Sequence, residues 1–267
     1  MAGTIQKIER AVKVRSHKLL TAKFSVKRTF FRPADRILIN AMPKSGSTFL
    51  SSALADVTGA MKFFLGNEQA SEQDFYYPKM IDTWNMRLVA HQHARPSRIN
   101  IECLNRFEIK PIIQVRNIFD IVVSTKDNLD KMRRDNVFPK TPDYRSLPEE
   151  KRLDAVIDHR VAWQLQFYDG WMRADIEKCV ISYEDMIADY SGTIAKALEF
   201  YNLDVPQDKI IDVVDRLNAG KNTDAEKTRF NKGEAGRGAE ILSDEQKDRI
   251  RRMASYFTSV DMSPLGL

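Results

Sequence analysis

Two cysteines, Cys103 and Cys179, are all that 267 residues contain. Two thiols build no disulfide framework, so a reducing compartment is expected and the location assigned is cytoplasmic. No stretch approaches the roughly 18 apolar residues that a membrane-spanning helix needs. The first residues also lack the apolar core of a signal peptide. The Gly-Lys-Ser/Thr that ends a Walker A motif is missing as well. Positive charge is missing from the body of the chain: the net charge is +5, yet residues 1–36 hold ten Lys or Arg against two acids, which leaves the remainder near −3. A body of that sign does not suit a long polyanion, and no nucleic-acid partner is expected.

What is present describes a globular protein with a large core, 43% hydrophobic and 30% charged. Residues 1–34 read as a basic arm. Ile5, Ile8, Val12, Leu19 and Leu20 fall at helical spacing, which predicts an amphipathic helix over 4–24. A solvated surface helix and contact with an anionic membrane surface both remain open for it. Short apolar runs bounded by polar residues predict buried strands at 37–39, 87–90, 111–115 and 179–182. Helical patterns lie between and after them, including a long amphipathic helix over 152–174, two helices within 190–217 and a last one over 243–257 with Ser243 as N-cap. Residues 57–86 are read as irregular, with Phe63, Phe64, Phe75, Tyr76, Tyr77 and Trp84 as a group able to line an acceptor pocket. Alternating strands and helices predict an α/β fold: one domain over 35–267 with a central, mostly parallel sheet flanked by helices.

The chain is organised around Arg36 to Ala55, RILINAMPKSGSTFLSSALA. A buried strand feeds the turn Pro43-Lys44-Ser45-Gly46, and Ser47 opens a helix. Such a turn points free backbone N–H groups and the positive end of the helix dipole at one spot, which suits a phosphate. Lys44 adds a full charge, and Ser45, Ser47 and Thr48 add hydroxyls. His91 and His93 follow the second strand, on one side of an extended segment. No further ligand lies at metal-like spacing, so no metal site is expected. Arg116 leaves the third strand, and Ser124 lies about two helical turns on; a turn between them can fold both onto a second phosphate. Thr228 to Gly238 carries three glycines and three basic residues, a pattern able to close backbone over an anion.

The order Pro-Lys-Ser-Gly-Ser-Thr-Phe resembles the 5′-phosphosulfate loop of the sulfotransferases that use 3′-phosphoadenosine 5′-phosphosulfate (PAPS), a P-loop-like nucleotide-binding core. Arg116-Asn117-Ile118-Phe119-Asp120-Ile121-Val122-Val123-Ser124 is similar to that family's 3′-phosphate motif, Arg-Asn-Pro-Lys-Asp-x-x-x-Ser, with Ile118 and Phe119 in place of Pro-Lys. Tyr183-Glu184-Asp185-Met186 matches a family segment whose Tyr lies near the adenine. Arg229-Phe230-Asn231-Lys232-Gly233-Glu234-Ala235-Gly236 resembles its C-terminal Arg-Lys-Gly-x-x-Gly, with Asn231 where Arg is usual. The resemblance covers roughly 35–258.

The resemblance implies sulfuryl transfer from PAPS to a hydroxyl or amine of a small-molecule acceptor, such as a secondary metabolite, with PAP (3′-phosphoadenosine 5′-phosphate) as product and no metal. It implies that Lys44 stabilises the leaving phosphate, with Ser45, Gly46, Ser47 and Thr48 around it and Phe49 stacked on the adenine. Arg116 and Ser124, with Arg229, Phe230, Asn231, Lys232 and Gly233, would hold the 3′-phosphate side. The family's base is a His in a Lys-Thr-His-Leu-Pro-like segment; His93, two residues before Arg95-Pro96, falls closest, and His91 stands where the family has Lys. The competing expectation is a P-loop small-molecule kinase using ATP–Mg²⁺, against which the missing Gly-Lys-Ser/Thr counts.

Overall fold

The computed structural model describes residues 18–67, 71–131, 144–223 and 234–267. Helix α1 spans 18–30, and the earlier part of the expected arm helix lies outside the described residues. Strand β1, Arg36–Ala41, leads into α2, Ser47–Thr58. After it come β2 (Met61–Phe63), a hairpin of β3 (Gly66–Asn67) and β4 (Ser71–Phe75), and the short helix α3 (Tyr77–Asp82). Strand β5, Leu88–Gln92, is followed by α4 (Arg98–Arg106), and β6, Pro111–Val115, by α5 (Ile118–Lys131). Helices α6 (Glu149–Val156) and α7 (Ala162–Arg173) precede β7, Cys179–Ser182. Helices α8 (Tyr183–Ala188), α9 (Tyr190–Phe200), α10 (Gln207–Thr223), α11 (Arg237–Ile241) and α12 (Asp244–Ala254) complete the chain.

The main sheet has the order β2-β5-β1-β6-β7, and every pairing in it is parallel. Central strand β1 is buried along all six residues, as a parallel strand covered on both faces must be. Its side chains alternate. Ile37, Ile39 and Ala41 enter the cluster formed with α2, α9 and α10, while Leu38 enters the one formed with α5, α7 and α12. The result is the expected α/β domain, helices on both faces of a parallel sheet. From β1 the chain moves to β5 on one side and then to β6 on the other. Strand order therefore reverses beside β1, and the crevice at the carboxyl ends of these strands is where such a sheet takes ligands.

All four predicted strands are present, but β5 continues to Gln92. His91 is thus a strand residue in register with Ile39, and only His93 lies beyond the end. The segment 57–86 is more regular than expected. Strand β2 adds in parallel to the edge of β5, and a three-residue strand with two exposed side chains leaves no periodicity to read. The aromatic group divides. Phe75 and Trp84 belong to the core, whereas Tyr76 is exposed. Trp84 lies against Arg36, 4.8 Å from ring centroid to guanidinium carbon, and its Nε1 donates to the Phe31 carbonyl at 3.0 Å. The predicted helix over 152–174 begins earlier, at Glu149, and is widened by one π turn at Ile157–Val161, which holds His159. The capping box at Ser243 and Gln246 is formed in both directions.

Helix α1 is anchored by Phe24, whose ring meets Trp84 at 5.3 Å and Phe107 at 4.6 Å. Its other side leaves Leu19 71% and Phe30 74% exposed. Among the described residues, no helix is long and apolar enough to cross a membrane.

Candidate active site

The turn after β1 holds two residues in the left-handed region, Lys44 at φ 73 and Gly46 at φ 81. Lys there is strained by its Cβ, and hydrogen bonds hold the conformation. The Ser45 amide and hydroxyl both donate to the Met42 carbonyl, at 3.2 and 2.7 Å. From β6, Gln114 Nε2 donates to the Ser45 carbonyl at 2.9 Å, and the Gln114 carbonyl accepts from the Met42 amide at 2.9 Å. Arg116 Nη1 donates to the Lys44 carbonyl at 3.1 Å. Strand β6 and Arg116, just beyond its end, thus fasten the turn at three points. No side chain caps α2 at Gly46, so the first-turn amides keep their dipole directed at the crevice.

Gly46 is required twice over. A Cβ on it would lie 2.7 Å from Met186 Cε and 2.8 Å from Tyr183 Cδ2. Gly59, at φ 66, faces open space. Gly59→Ala is therefore expected to cost about 1–2 kcal/mol for the backbone alone, and Gly46→Ala clearly more. Urea unfolding midpoints of the two variants measure this, and equal losses would remove the overlap argument.

The histidines are held by the same strand end. Asn40, fully buried, donates to the Ala94 carbonyl at 3.1 Å and accepts from the Ala94 amide at 2.7 Å. Trp171 Nε1 donates to the Ala94 carbonyl at 2.8 Å. His93 Nδ1 is 2.7 Å from the Ala41 carbonyl. A carbonyl only accepts, so Nδ1 carries the hydrogen and, in the neutral ring, Nε2 carries the lone pair. The His91 and His93 rings meet edge to face at 4.8 Å. Among the described residues no group of three or more His, Cys, Asp or Glu is placed to hold a metal ion.

Arg116 is buried at the mouth of β6, its guanidinium carbon 3.9 Å from the Tyr183 ring centroid. Burial pushes the Tyr183 hydroxyl pKa up, opposed by the Arg116 charge. Asn117 Oδ1 accepts from the Phe119 and Asp120 amides at 3.0 and 3.3 Å, which starts α5. The Asn117 amide in turn donates to Glu184 Oε1 at 3.1 Å. Burial raises the Glu184 carboxyl above its ordinary range, and the hydrogen bond from Asn117 works against that.

The structure therefore brings Lys44, Ser45, Gly46, Arg116 and Tyr183 together beyond the carboxyl ends of β1 and β6 and hangs His93 from the strand that feeds the turn. Lys44 Nζ donates to Asn128 Oδ1 on α5 at 3.1 Å. Thr48 is exposed and Ser47 is buried, while the Ser45 hydroxyl is directed inward at Met42 and positions the turn. Ser124 is buried in α5. Phe49 is 2% exposed and packs in the core, its ring 4.6 Å from that of Tyr190. Arg229, Phe230, Asn231, Lys232 and Gly233 lie outside the described residues. Sequence reasoning overlooked Asn40 and Gln114, which fasten both loops. The available signal was a polar side chain near the end of an otherwise apolar strand, ILIN and PIIQV.

A family model for the sulfotransferase domain matches residues 34–255. The chain belongs to the sulfotransferase family. No curated protein matches this sulfotransferase significantly. Among solved structures it is similar to the mouse sulfotransferase SULT7A1 complexed with PAP, at a TM-score of 0.64 and 18% identity over 92% of this chain and 91% of that one. It is also similar to a retinol dehydratase in complex with androsterone and inactive cofactor PAP, and to one in complex with retinol and PAP. Each of these two has a TM-score of 0.58 and 14% identity over 86% of this chain and 83% of that one. At such identities the likeness concerns the fold.

Proposed function

We propose that this sulfotransferase uses PAPS and transfers its sulfuryl group to a hydroxyl or amine of a small-molecule acceptor. The observation that carries the reading is the 3.1 Å hydrogen bond from Arg116 to the Lys44 carbonyl. It ties the residue read as the 3′-phosphate contact to the turn read as the 5′-phosphosulfate loop, so both anionic ends of one nucleotide fall in one crevice. Arg116 Nε supports the fit: it is buried, and no acceptor meets it among the described residues. A buried donor left so is costly until an anion satisfies it. That the solved neighbours named above hold PAP, and that two of them hold androsterone or retinol, supports a nucleotide donor and a small acceptor.

PAPS, when bound, supplies a sulfuryl group already joined to a good leaving phosphate, so the residues of this chain have three tasks. Lys44 and the amides at the start of α2 stabilise the charge that grows on the leaving oxygen. His93 Nε2 takes the acceptor proton as the acceptor atom attacks. The Ala41 carbonyl holds that imidazole in the one tautomer able to do so, and Asn40 fixes the adjoining Ala94 backbone.

A thermal-shift titration with PAP, against ADP and ATP–Mg²⁺, tests the donor. At ~100 times its dissociation constant, PAP should stabilise the fold by about 2.7 kcal/mol. A response to ATP–Mg²⁺ alone would put the kinase reading first.

A further inference from the structure

Asp120 is 1% exposed, on the first turn of α5. Its Oδ2 accepts from the Gly236 amide at 2.8 Å and its Oδ1 from the Gly238 amide at 2.7 Å. Arg116 Nη2 lies 3.4 Å from Oδ2, and the same nitrogen donates to the Glu234 carbonyl at 3.0 Å. Gly236 is in the left-handed region at φ 87, and Gly238 approaches the Phe119–Asp120 backbone so closely that any Cβ there would overlap it. Arg237 between them pairs with Asp127 at 2.9 Å. Segment 234–238 is thus clamped to α5, with Asp120 at the centre of the clamp.

A buried carboxylate beside a crevice for anions is unfavourable by itself, because like charge weakens anion binding. It is compensated here by two amides and a guanidinium. An apolar side chain in its place would leave both amides without their acceptor and Arg116 Nη2 with the Glu234 carbonyl alone. What the carboxylate provides is order: it sets the direction of the Arg116 fork and fixes the backbone of 234–238 against it. We propose that Asp120 is the positioning residue of the nucleotide site. Preference for a 3′-phosphorylated nucleotide then passes through a side chain that does not itself touch the nucleotide. This rests on the reading of Arg116 as the 3′-phosphate contact.

The test uses Asp120→Asn in the full chain. Asn keeps one carbonyl oxygen but offers an NH₂ where the second amide needs an acceptor. Dissociation constants for PAP and for AMP, which lacks the 3′-phosphate, are measured by calorimetry in both proteins. The wild-type chain should prefer PAP. In the variant that preference should fall by about tenfold or more, the scale of one charge-assisted hydrogen bond, the loss on PAP exceeding any loss on AMP. A purely structural role would lower the melting temperature and leave the PAP-to-AMP ratio alone, and an unchanged ratio overturns the proposal. A wild-type chain that does not distinguish the two nucleotides overturns the PAPS reading and this proposal together. Should the variant not fold, amide exchange in the wild-type chain decides. PAP must slow exchange at Gly236 and Gly238 more than AMP does, and equal protection overturns the proposal.

Discussion

Lys44→Ala is expected to lower sulfuryl-transfer turnover by about 100-fold or more, the scale on which one preorganised electrostatic donor acts. Lys44 is the cation on the turn between β1 and α2, and its ammonium group already reaches across to Asn128 on α5. The charge adds to the partial positive end of a helix that no side chain caps, so in the proposed mechanism the two act on the same developing oxyanion. The substitution is clean for a structural reason. Lys44 itself stands at φ 73, and Ala meets the same Cβ strain there, so no new backbone penalty arises. The hydrogen bond from Arg116 to the turn uses the Lys44 carbonyl, so Ala keeps it, and the substitution gives up the side-chain bond to Asn128. Turnover should therefore fall while the melting temperature stays close to that of the wild-type chain. Steady-state kinetics with saturating PAPS and any accepted alcohol or phenol reads the first quantity, and a thermal melt reads the second. Retained turnover would remove Lys44 from the mechanism, whereas a collapsed melting temperature would mean that the side chain serves the fold.

The central fold was legible because its physics is local. Runs such as ILI and PII are apolar on both faces, and a parallel strand buried on both faces needs that. The turn at Pro43–Gly46 was equally legible, since Pro and Gly mark a turn by themselves and Gly46 supplies a left-handed residue there. What escaped was set by distant partners. Strand β2 exists because β5 offers an edge, not because Met61-Lys62-Phe63 alternates. Trp84 reads like a pocket residue until Phe24 and Phe107, far away in sequence, are seen around it. The shift of His91 into β5 followed from register with Ile39, which no single segment encodes. The same holds for Asp120. Its carboxylate acquires a task only when residues 116 positions further along fold back onto it.

His93→Ala should reduce kcat by ~10²–10⁴-fold, the range in which a positioned general base contributes, while His91→Ala should be mild. The two rings are neighbours, so proximity does not choose between them, but their anchors do. His93 has left the strand, and its Nδ1 is spent on the Ala41 carbonyl, the last residue of β1 before the Lys44 turn. That bond turns Nε2 into the acceptor and anchors the ring three residues before Lys44, on the turn proposed to carry the leaving-group charge. His91 sits inside β5, where its backbone is committed to the sheet and its side chain follows the pleat. Protonation of His93 would remove the lone pair that the proposed base uses, so acid should suppress wild-type turnover. His93→Ala should lose that acid limb of the pH–rate profile together with the rate. A His91→Ala variant should keep the limb. Measuring both profiles separates a base from a ring that merely packs beside it, and the reverse pattern, with His91→Ala inactive and His93→Ala mild, would transfer the role to His91.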